Sequence, residues 1–146
     1  MPTSESGRIR KGQPFSVRFS LPTDQFVEAE ARRTRRSKSA VVEALTEEAA
    51  RMRRFPGIGF RGDDARRRAW VIGSGLDVWE IVEMLEDFGS LEQLVADTHL
   101  EERQIRLAVA YRDHHREEIE QLLTENRRHL DELLTLYPFV HAAGEH

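Results

Sequence analysis

The sequence predicts a mainly α, two-domain protein whose first domain is completed by a second copy of the chain. Three observations carry this. First, "FSVRFSLPT", Phe15–Thr23, alternates apolar and polar residues and ends at a proline, and no second strand-like run follows before Phe55. Second, long helix-period stretches fill most of the rest. Third, the charge is divided: residues 1–75 hold 16 Lys and Arg against 9 Asp and Glu, while residues 76–146 hold 6 against 17.

The boundaries read as follows: a disordered segment 1–13, a strand–helix–helix domain 14–54, a hairpin and three-helix domain 55–123, and a C-terminal helix and tail 124–146. Composition limits what such a chain does. Of its 146 residues, 39% are hydrophobic and 33% charged, which suits a folded, helix-rich protein. No apolar run approaches the roughly 18 residues of a membrane span. The first residues, "MPTSESGRIRKGQP", lack the apolar centre of a secretory signal. The absence of cysteine removes disulfides, thiolate metal sites and a Cys nucleophile. A cytoplasmic location without membrane contact is expected. The six histidines have no metal-ligand spacing, and no triad or carboxylate pair stands out. No cofactor, metal or enzymatic role is therefore expected.

In the front domain, Val17, Phe19 and Leu21 fall on one side of the strand and Ser16, Arg18 and Ser20 on the other. Pro22 ends the pairing, and Thr23 or Asp24 caps a first helix that turns Phe26, Val27 and Ala31 to a core. Ser37 caps a second helix with Val41, Val42, Leu45, Ala49 and Met52 on its buried side. So little apolar material cannot stabilise roughly 40 residues alone. Two antiparallel strands and four helices closing one core solve the problem. The exposed side of that ribbon, carrying Ser16, Arg18 and Ser20, fits a DNA major groove. Arg36, Ser37, Lys38 and Ser39 at the second helix start suit phosphate. An ordinary dimerisation ribbon with a solvated polar face is the plainer reading.

"RRSKSAVVEAL", following a strand, a proline and a helix, resembles the ribbon-helix-helix family of DNA-binding repressors over residues 14–54. The resemblance implies groove contacts at Ser16, Arg18 and Ser20 and a phosphate contact at Ser37 to Ser39. Where the family often has Gly between the helices, this chain has Arg35-Arg36.

Pro56 and three glycines open the back domain. "IGFRG" and "RRRAWVI" read as a hairpin turning at Asp63-Asp64. Arg66-Arg67-Arg68 is either a basic wing or a solvated strand end. Asp77 with Glu80 caps a helix that Gly89 ends, and Ser90 with Gln93 caps the next. A third helix follows Leu100, with Ile105, Ala108 and Val109 at helical spacing. Three short helices behind a hairpin suggest a helix-turn-helix-like core. Asp97, Glu101 and Glu102 near the third helix would repel phosphate, so the ribbon is favoured as the DNA reader.

From Glu117 an apolar seam runs through Ile119, Leu123, Asn126, Leu130, Leu133 and Tyr137. Such a helix either packs on its own domain, pairs with a second chain or lies in a partner's groove. Pro138 stops it, and a short loose tail follows.

"FPGIGFRG", "RRAWVIGSGLDVWEIVEMLEDFGS" and "LEQLVADTHLEERQIRLAVAYRDHHREEI" closely resemble the antitoxin family called domain of unknown function 433. The resemblance implies a VapB-type antitoxin whose partner is a PIN-like ribonuclease toxin. Arg116, Arg127, Leu130, Leu133 and Tyr137 are then the candidate toxin contacts. The expected function is a homodimeric antitoxin that binds double-stranded operator DNA and blocks the toxin. The rivals are a stand-alone ribbon-helix-helix repressor and an inhibitor whose ribbon only dimerises it.

Overall fold

The computed structural model describes residues 10–139. Residues 1–9 of the expected disordered segment, and the expected loose tail from Val140 on, lie outside the described residues. Within them the chain is mainly helical, with six α-helices and one small antiparallel sheet. Its contacts divide it into two units, 1–42 and 43–146, and the division falls inside a continuous helix.

In the first unit, residues 10–20 are exposed and pair with no other strand among the described residues. The alternation of Phe15–Thr23 predicts a strand there. A strand needs a neighbour to take its backbone groups, and a single chain supplies none. The expected start of the first helix is corrected too. Helix α1 spans Leu21–Thr34, with Ser20 as its N-cap and Pro22 inside the first turn. Proline is tolerated there because its missing N–H would have no intrahelical acceptor anyway.

Arg35 ends α1 in the left-handed conformation, φ 55° and ψ 38°. Its N–H donates back to Arg32 O and that of Arg36 to Ala31 O. This is the position where glycine costs least. Helix α2, Lys38–Arg54, follows at once. The unit buries Val27 and Val41, each 2% exposed, while Phe26 stays 54% exposed. On α2, Leu45, Ala49 and Met52, which the sequence places on a buried side, are exposed in the single chain.

The second unit has a contiguous core. Strands β1 (Ile58–Arg61), β2 (Arg68–Val71) and β3 (Leu76–Asp77) form a meander. Its register pairs Ile58 with Val71, Phe60 with Ala69 and Trp70 with Asp77. The β1–β2 hairpin matches the sequence pattern; the two-residue β3 leaves no period to read. Gly62 makes the turn possible: its φ is +107°, and a Cβ there would sit 2.3 Å from Arg66 O.

Helices α3 (Val78–Phe88), α4 (Leu91–Asp97), α5 (Glu102–His114) and α6 (Arg116–Leu136) follow. Their ends obey local chemistry. Asp77 and Glu80 form a capping box, Gly89 closes α3 at φ 79°, and Ser90 Oγ accepts from Gln93 N at 3.1 Å. Glu101 and Gln104 form a second box that opens α5. Val78, Ile81, Val82, Leu94, Ile105, Ala108, Tyr111 and Ile119 close the core beneath the sheet. Helix α6 runs unbroken through the boundary expected at 123/124.

Replacing Arg35 with Gly relieves a left-handed side-chain clash at some cost in unfolded-state entropy. The net gain should be about 0.5–1 kcal/mol. A urea titration checks it; an unchanged or lower midpoint would mean that the Arg35 side chain repays its own strain.

Candidate nucleic-acid interface and partner helix

The candidate DNA residues fall into two groups. Ser16, Arg18 and Ser20 lie on the exposed extended segment, interleaved with Phe15 (85% exposed), Val17 (56%), Phe19 (38%) and Leu21 (69%). Arg18 has no hydrogen-bond partner among the described residues. Ser20 is partly committed: its carbonyl accepts from Asp24 N, and its hydroxyl donates to Thr23 Oγ1 at 3.1 Å.

The second group sits at the α1–α2 turn. Ser37 Oγ accepts from Ala40 N at 3.0 Å, so Ser37 is the cap that the sequence indicates. The helix start leaves the N–H groups of Lys38 and Ser39 without intrahelical acceptors. Arg36 donates to Thr34 Oγ1 at 3.2 Å. Lys38 turns to Asp24 and, at 3.8 Å, to Glu28. Donation to Asp24 raises the Lys38 pKa, so its charge persists, but a phosphate would compete with two carboxylates. Both partners are solvated, so this ion pair is easily exchanged.

Within the Arg66–Arg68 run, Arg67 is drawn out of any basic wing. Arg67 bends back to Glu48 on α2 and donates to Gly62 O and Phe60 O at 3.1 and 3.2 Å. Its pKa is raised, first by the Glu48 bond. Arg61 is also occupied, donating to Asp77 Oδ1 at 2.8 Å while its guanidinium lies 4.7 Å from the Trp70 ring centroid.

The candidate toxin residues do not form one cluster. Along α6, Arg116 and Tyr137 are separated by roughly 30 Å of helix at 1.5 Å per residue. Arg116 pairs with Asp113 at 3.2 Å. The proximal half of the seam is core: Ile119 is 1% and Leu123 6% exposed. Asn126 donates to Glu83, and Arg127 to Glu86, both at 3.4 Å, which marks the end of the docking on α3. Beyond that point Leu130, Leu133 and Tyr137 are 39%, 43% and 48% exposed. Leu136 and Phe139 are still more exposed, and the Tyr137 and Phe139 rings meet edge to face at 5.9 Å.

A polar cluster at the root of α6 escaped the sequence reading. Tyr111, wholly buried, accepts from Arg51 Nη1 at 2.7 Å and donates to Glu118 Oε2 at 2.9 Å. Arg51 also donates to Glu47 at 2.9 Å and to Glu118 at 3.1 Å. Burial, then the Glu118 charge, raises the Tyr111 pKa well above the phenolic range. Burial opposes the Arg51 charge, but Glu47, Tyr111 and Glu118 more than offset it. No local motif announces this cluster, because Arg51 lies 60 residues from Tyr111.

None of the described helices is long and apolar enough to cross a membrane. No protein-family model, curated protein or solved structure matches the chain.

Because Ile119 and Leu123 belong to the core, a chain cut at Arg116 should unfold the back unit. A chain ending at Arg128 keeps those residues, Asn126 and Arg127. It should retain its melting temperature to within a few degrees, measured by circular dichroism. A large drop would show that the distal half of α6 supports the fold rather than overhanging it.

Proposed function

We propose that this protein is a homodimeric antitoxin: its basic front binds operator DNA, and its acidic back holds a PIN-like ribonuclease toxin inactive. One observation carries the DNA half of the reading. The front unit lacks a core of its own, while Phe15, Val17, Phe19, Leu21 and Phe26 stand exposed in and beside an alternating segment. Burying those side chains against a second copy supplies the missing hydrophobic stabilisation, at about 25 cal/mol per Å² of apolar surface. Pairing the two segments as antiparallel strands also satisfies their backbone groups. The opposite side of the ribbon then carries Ser16, Arg18 and Ser20. Arg18 makes a bidentate contact to guanine, and the starts of the two α2 helices hold flanking phosphates.

The overhanging end of α6 supports the second half. Its leucines and Tyr137 form an apolar stripe on a chain segment whose net charge favours a basic partner. Arg127 and Arg128 are engaged by Glu86 and Glu132. The apolar side chains, rather than these cations, are therefore the anchors of the contact.

Two variants separate folding from reading. Phe19→Ala should cost about 3–5 kcal/mol of dimer stability and abolish DNA binding with it. Arg18→Ala should leave the dimer intact, cost about 1–3 kcal/mol of operator affinity and relax sequence preference. Ultracentrifugation and fluorescence anisotropy measure the two effects. A dimeric Phe19→Ala protein that binds normally would refute the ribbon. For the toxin contact, the chain ending at Arg128 should bind operator DNA normally yet fail to co-purify with, or inhibit, a PIN-like ribonuclease that the full chain neutralises. Full inhibition by that chain would move the contact elsewhere on the back unit.

A further inference from the structure

We propose that His115 is a proton-operated latch: adding a proton to its imidazole releases α6 from the body of the back unit. This goes beyond the antitoxin reading and does not depend on it. His115 is the only break between α5 and α6, since α5 ends at His114 and α6 begins at Arg116. Its backbone belongs to both helices. Its N–H donates to Tyr111 O at 3.0 Å, and its carbonyl accepts from Ile119 N at 3.2 Å. A movement of this residue therefore reaches the first turn of α6 directly.

The ring is held on an aromatic and charged floor. It lies 4.5 Å from the Tyr111 ring, tilted by 36°, and 6.1 Å from Phe55. Nε2 is buried and has no hydrogen-bond partner among the described residues. The charged and titratable groups around it are Glu47 and Arg51 from α2, Tyr111 and His114 from α5, and Glu118 from α6. A neutral imidazole tolerates one unpartnered nitrogen. An imidazolium does not, because both nitrogens then carry protons that need acceptors.

The two nearby carboxylates already accept hydrogen bonds from Arg51, and Glu118 also accepts one from the Tyr111 hydroxyl. Protonated His115 competes with Arg51 and Tyr111 for these carboxylates or swings out to water. Either route opens the clamp that joins α2, α5 and α6. Burial, followed by repulsion from Arg51, disfavours the charged ring in the closed form. The open form therefore binds the proton more readily. The latch is fully closed above the ordinary histidine range, near pH 6.5. It weakens as pH falls through that range towards the depressed value of the closed form.

Hydrogen exchange of the full chain at pH 7.5 and 5.5, corrected for intrinsic rates, tests this. Protection of residues 116–127 should fall on acidification by up to about tenfold per pH unit, the limit for one linked proton. Protection of β1 and β2 should change less. His115→Phe, or His115→Asn if Phe is not accommodated, should flatten the α6 response. His114→Gln should keep it. A proton NMR titration of the wild-type imidazoles supplies a readout that needs no variant: His115 should titrate in step with the loss of α6 protection. The proposal fails if α6 responds equally in the His115 variants. It also fails if His115 titrates while α6 stays protected.

Discussion

The back unit depends on one hydroxyl. Tyr111 sits at zero exposure, where an unsatisfied O–H would cost a buried polar group its full desolvation. It is satisfied on both sides, taking a hydrogen bond from Arg51 and giving one to Glu118. Those bonds come from three helices, so the position of one atom fixes α2, α5 and α6 against each other. The ring below it meets Phe55 at 5.4 Å and Phe60 at 6.5 Å, extending the same constraint to the chain after α2 and to the sheet. A wholly apolar residue at 111 would remove one acceptor from Arg51 and one donor from Glu118, leaving the ion pairs of Arg51 with Glu47 and Glu118. Buried networks of this kind add uniqueness of arrangement more than stability.

The front unit shows the opposite condition. Its helix ends are locally set: Ser20 precedes α1 without a side-chain capping bond, Ser37 caps α2 through its hydroxyl, and Arg35 ends α1. What is missing is non-local. Two valines are buried, and the large side chains that would shield them point to solvent. Local capping sets where helices begin but cannot supply a core. That contrast separates a segment folded by its own neighbours from one that buries only Val27 and Val41.

The same division explains what was legible in the sequence. The Asp77–Glu80 box, Gly89, the Ser90 cap and the β1–β2 hairpin are written within a few residues of themselves, and each is read directly. The start of α1 was misplaced because Pro22 fits two roles, closing a strand or entering a helix turn. Strand β3 is too short to show a period. Arg67 reads as one member of a basic run, yet its fate is set by Glu48, 19 residues away. The Arg51–Tyr111–Glu118 bridge is equally long-range. Spacing alone places Leu123 and the candidate partner residue Leu130 on one seam. It could not show that α3 ends between them.

A helix buried along half of one face and bare along the rest is not free to slide. Ile119 and Leu123 fix its register, and the bonds from Asn126 to Glu83 and Arg127 to Glu86 fix where contact stops. The distal turns are therefore presented at a defined rotation without any ordering cost beyond their own side chains. In the complex proposed above, preorganised presentation of Leu130, Leu133 and Tyr137 would avoid most of the entropy that a disordered peptide loses on docking. The exposed stripe alone is small beside the roughly 800 Å² per partner of a stable complex. A groove that wraps the helix meets that requirement better than a second helix laid flat against it. The acidic flanks around α6 then favour a groove with a basic rim.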